Sequence, residues 1–572
     1  MKVVIIGGVA GGATAAARLR RLDEHAEIIM LERTGFVSYA NCGLPYYVGG
    51  VITDKKELTL QSPKSFWARF HIDVRVHHEV LEIKPAEKTL RVRRLEDGTE
   101  YTESYDKLIL SPGANAVHAN VPGGDDARIF TLRTVEDTYR IRDYVTANRP
   151  KRAVVIGAGF IGLEMAENLA KENMSVTLIQ RGGQVMPTLD ADMASEIHAY
   201  LRNQGIDLRL NTTFTGFEPE KNRLRVLLQD GGAVETDLVL LSIGVTPDST
   251  LAQAAGLELG VKDSILVNEH METSDPNIYA VGDAVQVRHL VTSKPALIAL
   301  AGPANKQGRI AADNICGRKS AFRGSQGSAV LKLFGMTIAT TGVNEKMAQA
   351  GGLAFDKVVT LSASHASYYP GAGNMTIKTL YDPVSGRILG AQIVGSEGVD
   401  KRIDVFATAI RAGMTAAELT ELELAYAPPY SSAKDPVNVA GFVIENVRTG
   451  LVKQYHWYEI PALRRRGAAF VDLRTPEEYA EGHIPGAVNI PLHELRERLC
   501  ELDRNKSAYI NCYSGLRSYL ACRILSENGF DCYNLSGGYR FYAMNALEIS
   551  REPTPRHPCG AEIDQRKEGR VL

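Results

Sequence analysis

The stretch Ala153-Val154-Val155-Ile156-Gly157-Ala158-Gly159-Phe160-Ile161-Gly162 reads as a strand running through a glycine turn into a helix. An uninterrupted apolar run suits a strand covered on both faces, and the glycines fall at GxGxxG spacing. The first glycine permits a tight turn, the second lets backbone approach a pyrophosphate, and the third lets helix and strand pack closely. Leu163 to Lys171 continues as the helix and Ser175 to Ile179 as the next strand. This is a βαβ unit with an anion site at its helix N-terminus, and Gly157, Gly159 and Gly162 are its candidate dinucleotide contacts.

An earlier copy opens the chain. Lys2 to Ile6 is a strand, Gly7-Gly8-Val9-Ala10-Gly11-Gly12 the turn, Ala13 to Leu22 a helix, and Glu27 to Leu31 a strand ending in Glu32. Val9 takes the middle glycine position, while Glu32 stands where an acid meets a ribose hydroxyl, so Gly7, Gly12 and Glu32 are candidates. Two such units imply two dinucleotides, and the economical pair is a flavin and a nicotinamide. At the second acidic position the chain has Gln180 and then Arg181. A carboxylate would favour NADH and an arginine NADPH, so both stay open.

At 572 residues, several domains are expected. Lys and Arg (65) balance Asp and Glu (67), which gives no concentrated positive charge for nucleic acid or an anionic membrane. The run Arg464-Arg465-Arg466 reads as a solvated face. Seven cysteines without a CxxC pair point to a reducing cytoplasm and away from a disulfide framework or a metal site. The N-terminus imitates a secretory leader, but its apolar run is broken at once by Gly7-Gly8 and followed by Arg18, Arg20 and Arg21. No apolar stretch reaches the roughly 20 residues of a membrane span.

Chemistry is expected at Ser38-Tyr39-Ala40-Asn41-Cys42-Gly43-Leu44-Pro45-Tyr46-Tyr47. Pro45 suits a first helical turn, which would set Cys42 at a helix N-terminus and lower its pKa. Two further segments, Tyr105 to Ala114 and Thr273 to Ala284, read as strands ending in tight turns, the second at Gly282-Asp283.

The order of these segments resembles the flavoprotein pyridine nucleotide-disulfide oxidoreductases. The resemblance implies FAD at the first glycine turn, NAD(P)H at the second, and Asp283 on the flavin ribityl chain. Reductases of the glutathione reductase type carry CxxxxC, and here the second position is Tyr47. Cys42 must therefore form its disulfide with a substrate thiol or become a sulfenic acid. This is the single-cysteine branch, which includes coenzyme A-disulfide reductases, NADH oxidases and NADH peroxidases. Members that reduce peroxide or oxygen carry a histidine where this chain has Ala10.

Within the coenzyme A-disulfide reductases, two tyrosines reach the active-site cysteine from the partner subunit. His365 to Pro370 and Ala425 to Ser431 match those places, which assigns Tyr368 and Tyr426 and implies a homodimer. A phenol can donate a proton to a departing thiolate or hydrosulfide. The same branch implies coenzyme A contacts at Arg18, Arg21, Ser38, Asn41, Asn305, Arg309 and Lys434.

Residues 325 to 447 mix short strands (Lys332 to Phe334, Asn374 to Leu380, Ile388 to Val394) with a helix at Val399 to Ala412, resembling the family's dimerisation domain. Thr449 to Gly467 reads as a linker. Ala469 to Asp472, then His483-Ile484-Pro485-Gly486-Ala487, then Cys512-Tyr513-Ser514-Gly515-Leu516-Arg517-Ser518 resemble a rhodanese domain. A cysteine at a strand end before a helix N-terminus is ringed by backbone N–H groups that can stabilise a thiolate or persulfide, with Arg517 adding charge. Silent rhodaneses usually lack this cysteine. Cys522 reads as packing and Cys532 as a weaker redox candidate; Cys559 lies in a proline-containing tail.

The expected architecture is α/β: two Rossmann-like dinucleotide-binding domains, an α+β dimerisation domain and a C-terminal α/β rhodanese domain. Expected bounds are 1–149 with 271–324 for FAD, 150–270 for NAD(P)H, 325–447 for dimerisation, 455–553 for the rhodanese and 554–572 for a mobile tail. The expected activity is NAD(P)H-driven reduction of coenzyme A persulfide, polysulfide or disulfide, with Cys512 as sulfur carrier and Cys42 as redox thiol. The alternatives are a coenzyme A-disulfide reductase for thiol homeostasis, an NADH oxidase or peroxidase, or chiefly a sulfurtransferase.

Overall fold

The computed structural model describes residues 1–551. The 554–572 tail and Cys559 lie outside the described residues. The chain divides into two compact units, one of residues 1–181 and 212–327, the other of residues 182–211 and from Ser328 onward.

In the first unit a parallel sheet runs in the order Ile278–Ala280, Lys107–Leu110, Lys2–Ile6, Glu27–Glu32, Asp73–Val76. Its central strand pairs on both sides, Val4 lying level with Leu108 and with Ile29. Val3, Val4 and Ile5 are fully buried, as a strand with both faces covered requires. The strand leads through the first glycine turn into the helix Ala10–Leu22. Arg152–Ile156 is the corresponding strand of a second parallel sheet, between Ser175–Ile179 and Leu238–Leu241, with Ile129–Phe130 beyond. Two antiparallel three-stranded sheets and two two-stranded antiparallel ribbons complete the unit.

The second unit holds an antiparallel sheet in the order Ala329–Leu333, Met336–Gly342, Ile388–Gly395, Asn374–Tyr381, Asp356–Ala363. The expected strand end at Phe334 is a turn instead. Phe334 takes φ +52° in a two-residue hairpin between Leu333 and Met336, the primed turn that matches strand twist. The helix Val399–Ala412 packs on this sheet.

A five-stranded parallel sheet follows, in the order Lys453–Tyr455, Cys532–Leu535, Ala508–Asn511, Ala469–Asp472, Val488–Asn489. The stretch expected as a linker is structured. Lys453–Tyr455 is the edge strand of this sheet, and Ile460–Arg465 is a helix. A three-residue strand is too short to show period-two alternation, which is why the sequence hid it.

Candidate active site

Both glycine turns are dictated by sterics. Gly7 has φ +94° and Gly157 φ +101°; a Cβ on either would come 2.1 Å from a backbone carbonyl oxygen, of Ser111 and Ser242 respectively. A Cβ on Gly12 or Gly162 would lie 1.9 Å from the carbonyl of its own turn's first glycine. Gly159 differs: its φ is −81° and nothing lies within 4 Å of its Cβ position. Its smallness therefore serves an incoming group rather than the protein. Val9, the N-cap of the first helix, has φ −101°, which any residue adopts.

Neither N-cap residue caps its helix with a side chain and neither first turn carries an acid; Ser111 Oγ takes the Gly12 N–H at 3.0 Å, and the earlier N–H groups of both helix ends are left for an anion. Glu32 is buried. One of its carboxylate oxygens accepts from Gly8 N at 2.9 Å, the other from the N–H and hydroxyl of Thr34. Gln180 repeats the first contact with its amide oxygen, accepting from Ala158 N at 3.0 Å. The neutral amide does not repel a phosphate as Glu32 would. These residues fit two pyrophosphate-bearing dinucleotides, one at each turn.

The Cys42 loop is tied to the first turn, Ser38 N donating to Gly8 O at 2.8 Å with Ser38 in the left-handed region (φ +46°). Cys42 itself sits in a 3₁₀ turn, Asn41–Gly43, ahead of the helix Leu44–Val48. The expected lowering of its pKa is not found among the protein's own groups. Loss of water around the thiol pushes it up, the carboxylates of Glu164 and Asp283 add to this, and Arg133 opposes them. A helix of five residues has too few aligned peptides to offset two carboxylates. Arg133 is itself paired with Asp283 at 2.7 Å.

Glu164 was missed in the sequence. It lies in the helix Phe160–Lys171, accepts from Tyr46 Oη at 3.3 Å, and is raised to about 7 mainly by desolvation. Only the tertiary fold brings it to the cysteine loop.

Among the residues expected to hold coenzyme A, Arg18, Arg21, Asn305 and Arg309 fall on two touching helices, Ala10–Leu22 and Ala301–Ile315. A Cβ on Gly308 would lie 2.3 Å from Gly11 O, so the contact is backbone to backbone. Arg18 is engaged, its Nε and Nη2 on Asp313 Oδ1 at 2.8 and 2.7 Å, and Asn305 accepts from the Thr14 hydroxyl at 2.6 Å. Arg21 and Arg309 are exposed, Asn41 is half-buried, and Lys434 is exposed in the second unit.

Tyr368 and Tyr426 also belong to the second unit, and their hydroxyls are 2.9 Å apart. Their rings remain 75% and 47% exposed. Behind them Arg402, 1% exposed, donates to Ser364 O, Tyr430 O, Ser431 Oγ and Asp435 Oδ2. One guanidinium thus joins the loops that carry the two tyrosines.

In the C-terminal sheet the Cys512 thiol is fully buried, its Sγ accepting from Gly515 N at 3.2 Å and Ser518 Oγ at 3.3 Å. Arg517 stands beside Cys512 and interacts with its thiol, but its charge is paired with a carboxylate. Both its Nη atoms pair with the Glu478 carboxylate, at 2.7 and 2.8 Å, and hold that carboxyl down to about 2. Cys522 is core, and Cys532 Sγ donates to its carbonyl at 3.4 Å. Asp190, Asp192 and Glu345 form a buried carboxylate cluster with the Lys378 ammonium at 3.0, 2.8 and 2.5 Å. Among the described residues no helix is long and apolar enough to cross a membrane.

Three family models match this chain: Pyridine nucleotide-disulphide oxidoreductase over residues 1–308, its dimerisation domain over 328–436, and Rhodanese-like domain over 459–544. A coenzyme A disulfide reductase of Staphylococcus aureus is 38% identical over 442 residues, covering 77% of this chain and 99% of that protein. The crystal structure of reduced Bacillus anthracis CoADR-RHD shares 46% identity at TM-score 0.93, covering 95% of this chain and 98% of that one. A NAD-dependent persulfide reductase from A. fulgidus shares 38% identity at TM-score 0.89, covering 95% and 100%.

Proposed function

Since this chain belongs to the pyridine nucleotide-disulphide oxidoreductase family and is an oxidoreductase enzyme, we propose that it reduces low-molecular-weight persulfides, with coenzyme A persulfide and coenzyme A disulfide as substrates and a homodimer as working form. The observation that carries this reading is the pairing of two isolated thiols in one chain: Cys42 without a partner at Tyr47, and Cys512 in a loop built to hold an anionic sulfur. Likeness to both the S. aureus and the A. fulgidus protein supports it.

The family implies FAD and NAD(P)H. When bound, they supply the electron pair that returns oxidised Cys42 to the thiol. Gly7, Gly12 and Glu32 would hold FAD, with Asp283 toward the ribityl chain; Gly157, Gly159, Gly162 and Gln180 would hold the nicotinamide dinucleotide. Gln180 and Arg181 leave NADPH acceptable beside NADH.

The remaining roles fall on side chains. The Cys512 thiolate attacks the outer sulfur of a persulfide, the S–S bond breaks, and a thiolate leaves. Coenzyme A then takes that sulfur to Cys42, held by Arg21, Arg309 and Lys434 with Ser38, Asn41 and Asn305. Cys42 attacks the sulfur bonded to coenzyme A, hydrosulfide leaves, and a mixed disulfide remains. Tyr368 and Tyr426, serving Cys42 of the partner subunit, protonate the departing sulfur.

The test is anaerobic sulfide release from a low-molecular-weight persulfide other than coenzyme A persulfide, such as glutathione persulfide, with coenzyme A and NADH present, in the parent, Cys42→Ser and Cys512→Ser. Loss in both, with coenzyme A disulfide reduction kept in Cys512→Ser, supports the relay. Parental sulfide production in Cys512→Ser rejects it and leaves a coenzyme A disulfide reductase, a reading the S. aureus relative, matched over 442 residues, already favours.

A further inference from the structure

The segment Ser536-Gly537-Gly538-Tyr539-Arg540 touches the Cys512 loop on one side and the antiparallel sheet on the other. Toward the loop, Tyr539 N donates to Cys512 O at 2.7 Å and Arg540 N to Tyr513 O at 3.1 Å. Gly538 is so close that a Cβ would lie 2.5 Å from Tyr513 O. Toward the sheet, Ser536 Oγ accepts from Val359 N at 3.0 Å, and a Cβ on Gly537 would meet Val359 Cγ1 at 2.9 Å. A backbone pinned on both faces transmits displacement, because neither contact can yield without a clash.

Arg540 closes the arrangement. Its guanidinium lies near enough to Tyr513, the residue after Cys512, to interact with the phenol electrostatically. It also donates to Thr376 Oγ1 at 3.0 Å and to Glu196 Oε1 at 2.5 Å. Thr376 in turn donates to Glu196 Oε2 at 2.8 Å, so the three side chains form a closed ring, and Glu196 is 8% exposed. Glu196 lies on the helix Ala191–Asn203, which faces the C-terminal helix Gly538–Ser550. Further along the same two helices the charges reverse, Arg202 pairing with Glu548 at 2.5 Å. Opposite polarities at two points fix the register of one helix on the other.

We propose that Glu196 and Arg540 are positioning residues that set the Cys512 loop from outside its own sheet, so that sulfur uptake by Cys512 depends on docking against the helix Ala191–Asn203. The proposal rests on the reading of Cys512 as sulfur carrier. The step affected is attack of the Cys512 thiolate on the outer sulfur of a persulfide RS–SH. One S–S bond forms, the donor S–S bond breaks, and RS⁻ leaves with the electron pair.

The test uses the full chain, glutathione persulfide as donor and cyanide as acceptor, in Glu196→Gln, Arg540→Ala, Arg540→Lys and Cys512→Ser. Glu196→Gln and Arg540→Ala are expected to lower kcat for sulfur transfer about tenfold at unchanged KM for the persulfide, with Arg540→Lys recovering part of the loss. Coenzyme A disulfide reduction in the same preparations stays at the parental rate. Parental kcat in both variants, or an equal fall in both activities, overturns the proposal. Should Glu196→Gln fail to fold, Thr376→Val opens the same ring with a milder change and is judged by the same criteria. Transfer that persists in Cys512→Ser overturns the carrier reading itself. Loss in Cys512→Ser beside parental transfer in the other variants overturns the positioning alone.

Discussion

The Tyr368 and Tyr426 hydroxyls stand 2.9 Å apart on loops separated by 58 positions in sequence. One phenol donates to the other, so one proton bridges the two exposed oxygens while the accepting phenol keeps its own proton to give, and Tyr368 is held above its ordinary pKa by that bond. If the pair protonates a leaving sulfur, Tyr426→Phe and Tyr368→Phe should each lower kcat for persulfide reduction by roughly 10²-fold, the scale of lost general-acid help. The double variant should add little, since either substitution already breaks the pair. Steady-state kinetics with equal losses in all three variants is the expected result.

Arg402 should govern both stability and that activity. Arg402→Gln takes from the buried Asp435 carboxylate its close cationic partner, leaving only Lys401 Nζ at 3.9 Å, and losing one half of a buried pair costs about 3–5 kcal/mol. Thermal denaturation should show a clearly lower midpoint. Because Ser364 and Tyr430 lose a shared donor, kcat should fall further than in either tyrosine variant measured at the same folded fraction.

Glu164 predicts a pH dependence. Its carboxyl titrates near 7 rather than the ordinary 4.5, so the folded chain retains a proton that the unfolded chain has released across that window. Stability should therefore fall as pH rises from about 4.5 to about 7, by about 3 kcal/mol, and stay level above it. Glu164→Gln should flatten this slope. It should also raise the rate of Cys42 alkylation several-fold above pH 7, where the native carboxylate opposes thiolate formation, and leave it unchanged at pH 5.5.

Glu478 balances Arg517, and Glu478→Gln uncovers a positive charge beside the Cys512 loop. The KM for a dianionic donor such as thiosulfate should drop about three- to tenfold at low ionic strength, and the difference should shrink in 0.5 M salt as screening sets in. A neutral persulfide donor should show no such change.

What the sequence made legible was local. Gly12 and Gly162 are dictated by turns a few residues long, and Gly7 and Gly157 were legible from their spacing, although the carbonyls that a Cβ there would strike, of Ser111 and Ser242, come from remote strands. The Cys42 environment was misread because the effect expected from one short helix is outweighed first by desolvation of the thiol and then by Glu164 and Asp283, all brought about by remote segments. Arg402 gave no signal for the same reason: its partners lie between positions 364 and 435, and a lone arginine on a helix reads as a solvated charge. The neutralisation of Arg517 was hidden because Glu478 sits 39 residues away.

The short path from the helix Pro436–Arg448 to the edge strand Lys453–Tyr455 decides how sulfur can travel. A catalytic domain on a long flexible tether samples a volume, and its effective concentration at a second site follows from tether length. With Thr449 to Val452 as the whole connection, and Gln454 Nε2 held on Lys357 O at 2.7 Å, Cys512 has no such volume to sample. If Cys512 carries sulfur as proposed, its cargo would depart on a diffusing small thiol, and transfer should saturate with the concentration of that thiol rather than respond to loop lengthening at Gly450.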